Sequence, residues 1–277
     1  MKITTIIENS LGDQKELYNE HGLSFFIETP DGNILFDTGK TGAFIENAKA
    51  LGINLKKIDF LMLSHAHYDH CGGVKKFLNE FDVRPAFYVS EIFFANSEKY
   101  RCLDENKYKY IGIDFDENFI KEKKLNIHYV NEDMIKLNEK VYVFTNFEKT
   151  HDFEKLNPNM KFRKGEKYLL DHFDDEISLA VDTEKGLIVI LGCSHPGVLN
   201  IIDTISKRTG KPIYGIIGGT HLIEADEERI NKTIEKIKEK NIKMIGVSHC
   251  TGEKAIQSFK EKCDDFFVNC TGTILEL

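Results

Sequence analysis

Three histidines and an aspartate crowd into six positions of SHAHYDHCGG, residues 64–73, in a chain with ten histidines among 277 residues. Imidazole nitrogens and carboxylate oxygens suit borderline divalent ions such as zinc, iron or manganese. In an extended loop the alternate positions His65, His67 and Asp69 can point the same way, and His70 can turn toward a second point. Six positions cannot wrap one ion, so at least one more ligand has to arrive from a distant segment. Gly72 and Gly73 are expected to let the backbone turn sharply into the next helix. The competing reading is a hydrophilic loop rich in histidine by chance. It does not explain why an apolar strand, a ligand cluster and a glycine pair follow one another in that order.

These side chains need a frame. The apolar run IDFLMLSH (58–65) reads as a strand buried on both faces that delivers Ser64 to the loop. Val74, Phe77, Leu78 and Phe81 then mark an amphipathic helix. Upstream, residues 3–8 read as a strand, and LSFFIETP (23–30) and NILFDTG (33–39) as a hairpin around Asp31-Gly32. Phe44, Ala48 and Leu51 recur at helical spacing, and Gly52 ends that helix. PAFYVS (85–90), LNIHYV (125–130) and VYVFTNF (141–147) read as strands. Between them, residues 91–125 show no clear period and read as an insertion or lid in a single domain spanning 1–277. Residues 148–176 are polar and irregular.

The second half repeats the strand, loop and helix rhythm. ISLAVDT (177–183) and GLIVILG (186–192) flank a turn at Glu184-Lys185. Val198, Ile201, Ile202 and Ile205 predict a helix, with Pro196 near its start. PIYGIIGG reads as a strand, and Ile230, Ile234 and Ile237 as one face of a charged helix. IKMIGVSH (242–249) predicts a strand, Ala255, Ile256 and Phe259 a helix, and FFVNC a last strand. Two mixed sheets packed face to face with helices outside satisfy this order, and so does a doubly wound sheet.

Composition narrows the partners. The net charge is −8 and no strongly basic segment stands out, so no nucleic acid is expected. No run approaches the ~20 apolar residues of a membrane span. The uncharged run after Lys2 is five residues, too short for a signal-peptide core. The expectation is a cytoplasmic protein with six reduced cysteines, a small-molecule substrate and no membrane partner, a homo-oligomer being left open.

HAHYDH fits the HxHxDH signature of the metallo-β-lactamase superfamily, and the chain resembles that family over essentially its whole length. FDTG (36–39) is similar to its first motif, and SHC (248–250) carries its last motif histidine. GCSHPG (192–197), GGTHL (218–222) and HCTGEKA (249–255) resemble the branch of dihydropterin-ribofuranosyl-aminobenzene-phosphate synthase-like hydrolases. The resemblance implies an α/β fold, an αββα sandwich of two mixed β-sheets face to face with outer helices and a dinuclear metal site at one edge.

It also implies His65 and His67 on a first ion, Asp69 and His70 on a second, and His249 as a second-site ligand. The family's bridging aspartate follows a glycine; here that strand end reads Gly192-Cys193-Ser194-His195, so Cys193 takes the aspartate's place. His195 is read as a metal ligand and Cys193 as a packed thiol beside the site, with direct ligation by Cys193 or His151 as alternatives. Asp37 is read as accepting an N–H from a ligand histidine and fixing its tautomer. His221, after two glycines at a strand end, is read as facing the same edge, there to touch substrate or a metal.

The implied cofactors are one or two divalent ions, zinc first and manganese or iron as alternatives. Such an ion lowers the pKa of bound water from about 15.7 toward about 7. The expected chemistry is hydrolysis of an ester, lactone or phosphoester, with a pterin- or phosphate-linked small molecule as the implied substrate. Asp69 would orient the water or relay a proton. One rival is a di-iron oxygen or nitric-oxide oxidoreductase; such proteins usually carry glutamate where this chain has His67 and add a flavin domain. The other is a non-catalytic metal- or ligand-binding module, against which the intact HxHxDH argues and for which the missing bridging aspartate argues.

Overall fold

The computed structural model describes residues 1–105 and 107–277. In chain order it forms β1 (Lys2–Ile7), β2 (Ser24–Thr29), β3 (Gly32–Phe36), α1 (Phe44–Ala50), β4 (Phe60–Met62), α2 (Tyr68–Cys71), α3 (Val74–Glu80) and β5 (Ala86–Ser90). There follow β6 (Lys99–Asp104), β7 (Lys107–Tyr110), α4 (Glu117–Glu122), β8 (Ile127–Val130), β9 (Met134–Lys136), β10 (Val141–Phe144), β11 (Met160–Lys164) and β12 (Lys167–Leu170). The remainder is β13 (Ser178–Thr183), β14 (Gly186–Leu191), α5 (Val198–Thr209), β15 (Ile213–Gly219), α6 (Glu227–Glu239), β16 (Met244–Ser248), α7 (Glu253–Lys262) and β17 (Ile274–Glu276). These elements fall into two compact units. The first comprises Met1–Asn131, Asn157–Asp175 and Cys270–Leu277, the second Glu132–Leu156 and Glu176–Asn269.

The first unit holds a seven-stranded mixed sheet in the order β17-β1-β2-β3-β4-β5-β8. Pairing is antiparallel from β17 to β3 and parallel from β3 to β8. Leu35, Leu61 and Phe87 from its central strands pack with Phe44 and Ala48 of α1 and Val74, Phe77 and Leu78 of α3 in one buried core. Each of these larger side chains, Ala48 aside, stabilises the unit by roughly 1.5–3 kcal/mol. Because β3 and β4 run parallel, with Phe36 opposite Met62, both chains leave the sheet at the same end. This brings Asp37 beside Ser64 and the start of the histidine box.

The second unit holds a six-stranded mixed sheet in the order β16-β15-β14-β13-β10-β9, parallel from β16 to β14 and antiparallel beyond. Its core joins Leu187, Val189 and Leu191 to Ile201, Ile202 and Ile205 of α5 and Ile230, Ile234 and Ile237 of α6. The parallel strands again share an exit edge, where β14, β15 and β16 deliver Cys193, His221 and His249. Each unit has a hairpin of its own with the same threonine contacts. Thr29 Oγ1 donates to Gly32 O at 2.7 Å and accepts from Asp31 N at 3.2 Å. Thr183 Oγ1 does the same with Gly186 O (2.7 Å) and Lys185 N (3.2 Å).

A third sheet, antiparallel in the order β12-β11-β6-β7, belongs to the first unit. It joins the aperiodic segment 91–125, which also contributes α4, to part of 148–176. The irregularity read there is corrected: Met160–Lys164 and Lys167–Leu170 are strands. Tyrosines alternate with lysines on a half-exposed sheet, so no apolar period marks it, and the Tyr108 and Tyr168 rings stack 3.8 Å apart instead. The strand expected at FFVNC is also corrected. There Phe266 makes only an isolated bridge to Ile245, and the last strand is β17. Among the described residues no helix is long and apolar enough to cross a membrane.

Candidate metal centre

In the first unit one buried carboxylate organises the histidine box. Asp37 Oδ1 accepts the Ser64 backbone N–H at 2.7 Å, and Asp37 Oδ2 accepts the Ser64 hydroxyl at 2.8 Å. The same Oδ2 lies 2.6 Å from His70 Nδ1. The carboxylate oxygen accepts here, so His70 carries a proton on Nδ1, and as a neutral imidazole it would keep its lone pair on Nε2. The Ser64 hydroxyl, having donated to Asp37, is left to accept from His65 Nδ1 at 2.8 Å. His65 therefore also presents a lone pair on Nε2, which lies 3.0 Å from His67 Nδ1. The His65 ring centroid lies 4.5 Å from that of His67 and 4.4 Å from that of His70. Burial, then the neighbouring His70, His67 and Lys99, holds His65 well below the usual imidazole range, so it is neutral at pH 7.

The backbone around the box is pinned at several points. Thr38 N and Thr38 Oγ1 both donate to His70 O, at 2.7 and 3.0 Å. Leu23 N donates to Asp69 O, and Cys71 Sγ donates to His65 O. Burial pushes the Cys71 thiol well up, so it stays protonated. The glycine pair works differently from the sequence expectation. Gly72 (φ −66°) and Gly73 lie in ordinary right-handed backbone and need no glycine for their torsions. A Cβ at Gly72 would sit 1.9 Å from Lys40 O, and one at Gly73 2.3 Å from Thr38 O. The absent side chains permit close approach of the FDTG loop, not a sharp turn.

In the second unit, Cys193 Sγ, a His249 ring nitrogen and Cys250 Sγ all lie within 4.8 Å of one another. The His195 and His221 rings meet at 4.3 Å. Burial lowers His221 to about 4, leaving a neutral imidazole at pH 7. His151, the alternative ligand, is placed at α5, where its Nε2 meets Asp203 Oδ2 at 2.8 Å. Asp37, Ser194, His221 and His249 all have positive φ, between 48° and 62°. Non-glycine residues adopt that conformation at a cost, and such strain gathers at functional sites.

Several groups that fix the backbone near these side chains carry no clear signal in the sequence. Glu176 accepts Ser194 N at 2.7 Å and His195 N at 3.2 Å. Buried Glu154 accepts Leu199 N and Asn200 N at the start of α5, at 3.0 and 2.8 Å. His21, given no role from the sequence, lies 3.1 Å from Asp69 Oδ2. Asp175 accepts the Ala66 amide at 3.0 Å. The one available signal was DHFDDE (171–176), where four acids sit immediately before an apolar strand.

The donors suit a divalent ion of the zinc or iron kind. The first unit offers imidazoles and a carboxylate; the second offers imidazoles and thiols, which disfavour magnesium and calcium.

The chain belongs to the metallo-β-lactamase superfamily. That family's sequence model matches residues 17–128. A whole-length relative, the 7,8-dihydropterin-6-methyl-4-(beta-D-ribofuranosyl)-aminobenzene-5'-phosphate synthase of Methanocaldococcus jannaschii, is 37% identical, covering 96% of this chain and 93% of the relative. Among solved structures the chain is similar to Tm1679, a metal-dependent hydrolase of the beta-lactamase superfamily, with a TM-score of 0.86, 28% identity and coverage of 100% and 99% of the two chains. PqqB from Methylobacterium extorquens shares the fold at a TM-score of 0.60 and 10% identity, covering 100% of both chains. The fold is thus a mixed αβ metallo-β-lactamase fold, as the HxHxDH box implied.

Proposed function

We propose that the protein is a metal-dependent hydrolase acting on a pterin- or phosphate-linked small molecule through an ester, lactone or phosphoester bond. His65, His67, Asp69, His70, His195 and His249 are the proposed ligands of one or two divalent ions. Zinc is the first candidate, with manganese or iron as alternatives. A bound ion supplies water acidified to near neutral pH. The chain's own groups do the rest. Asp37 fixes the His70 tautomer directly and the His65 tautomer through Ser64. Asp69 is the proposed group that orients the water or takes its proton, with His21 at 3.1 Å as its neighbour. Cys193 lies beside the ligands, and His221, neutral at pH 7, is the proposed substrate contact.

The observation that carries this reading is the Asp37–Ser64–His65 chain together with the Asp37–His70 contact. One buried carboxylate sets two neighbouring imidazoles so that both present Nε2 lone pairs. A purely structural histidine pair has no need of that arrangement.

A second reading is favoured by the 37% identity to a synthase. In it the same ligands serve a condensation in which the nitrogen of a phosphorylated ribofuranosyl-aminobenzene displaces a leaving group from a dihydropterin-methyl carbon, the new C–N bond replacing the bond to the leaving group and the amine proton passing to a base. The test incubates zinc-loaded protein with bis-(p-nitrophenyl) phosphate and a lactone panel, and separately with dihydropterin and aminobenzene ribofuranosyl phosphate components, with products read by mass spectrometry. Chelator-sensitive hydrolysis of the first set supports the hydrolase. A joined product alone supports the synthase, and no turnover of either set contradicts both.

A further inference from the structure

Lys99 lies on β6 and is fully buried. Its Nζ sits 2.8 Å from Asp171 Oδ2 and 2.7 Å from Asp175 Oδ1, two carboxylates that are themselves buried. Each carboxylate spends its other oxygen on a backbone amide. Asp175 Oδ2 accepts Ala66 N at 3.0 Å, between His65 and His67. Asp171 Oδ1 accepts Phe173 N at 2.9 Å. Phe173 has φ +54°, which a bulky aromatic adopts only when its surroundings impose it. Its ring stands edge-on to His67 at 5.7 Å and 87°, with the Lys99 ammonium 4.9 Å from its centroid.

We propose that Lys99 is a positioning residue for the His65 and His67 pair, acting through Asp175 on the Ala66 amide and through Asp171 and Phe173 on the His67 ring. The proposal rests on the reading of the box as a metal site. Stability alone does not explain the ammonium, because a buried ion pair stabilises no more than well-packed apolar side chains of the same volume. What the ammonium adds is placement. It holds both carboxylates in one orientation, and each then fixes one element against the histidines. The third sheet, which carries Lys99 on β6 and leads through β12 into Asp171, thereby becomes the support of the ligand loop.

The test compares wild type, Lys99→Met and the milder, isosteric Asp171→Asn in two measurements. Zinc sulfate titration of metal-free protein reads affinity, and amide hydrogen exchange of the metal-free protein reads Ala66 against the amides of β5. The expected result is zinc binding weakened about 10–100-fold in Lys99→Met, the range for loss of a group that orients metal ligands. Ala66 exchanges about tenfold faster or more while β5 amides keep their protection. Asp171→Asn moves both readouts in the same direction by less, and stands alone if Lys99→Met does not fold. Unchanged Ala66 exchange, or acceleration spread evenly over β5 as well, overturns the proposal. If wild type takes up no zinc, the metal reading fails, and Ala66 exchange still decides whether Lys99 places the loop.

Discussion

Asp37 Oδ2 and His70 Nδ1 meet at 2.6 Å with both side chains shut off from solvent. The same carboxylate holds both the amide and the hydroxyl of Ser64, so one acid sets the orientation of two histidines. Its own backbone is left-handed (φ 62°) where the chain leaves β3. Asn tolerates that conformation, so Asp37→Asn removes the charge without straining the chain. The variant is expected to lose about 1–3 kcal/mol in urea unfolding, from the disturbed buried hydrogen bonds. Its zinc affinity should fall roughly 10–100-fold. Wild-type affinity in a titration would show that Asp37 only completes a turn.

Gly72 tests the packing of the first motif against the box. A methyl group there collides with Lys40 O, a backbone atom that cannot step aside alone. Gly72→Ala is expected to destabilise by about 3 kcal/mol or more and to weaken metal uptake with it. Gly52 is the control. It has φ +71° and no heavy atom within 4 Å of its would-be Cβ, so Gly52→Ala should cost only about 1–2 kcal/mol for its torsion. Equal losses in the two variants by urea denaturation would rule out the close-approach account.

Much of this was legible beforehand, and the reason is periodicity. The core helices α1, α3, α5 and α6 show their buried stripes in sequence because each hides one face only. The Asp31-Gly32 turn shows itself by residue type. What escaped was of two kinds. The third sheet is half-exposed and built on stacked tyrosines, which leaves no apolar rhythm. The supporting acids Glu154, Asp175 and Glu176 are buried against backbone amides far away in sequence, and Asp171 against the distant Lys99 ammonium. A lone Asp or Glu in a polar stretch reads as solvated, and only tertiary contact distinguishes it. Gly72 and Gly73 show a third limit: residue type named the position correctly but not whether torsion or space required it.

Glu154 gives a prediction in pH. Burial raises its carboxyl above 4.5, partly opposed by the two amides it accepts. A folded pKa above the unfolded one means its stabilising contribution is full below the unfolded value and is lost as pH rises through the folded value. Relative to Glu154→Gln, wild type should therefore lose stability as pH climbs from below 4.5 to above the raised pKa. Urea unfolding of both proteins at intervals between about pH 4 and 7 would show this difference. A flat difference would mean that the two amides offset the cost of burial, and an opposite slope that they outweigh it.

The most direct measurement is metal content. Wild type, His65→Ala and His70→Ala would be stripped with chelator, exposed to zinc sulfate, desalted and analysed by elemental mass spectrometry, with circular dichroism confirming the fold. At least one zinc per wild-type chain, and loss of zinc from both variants, is the expected result. Full zinc retention in both folded variants, or none in wild type, would contradict the claim that this box is built around an ion.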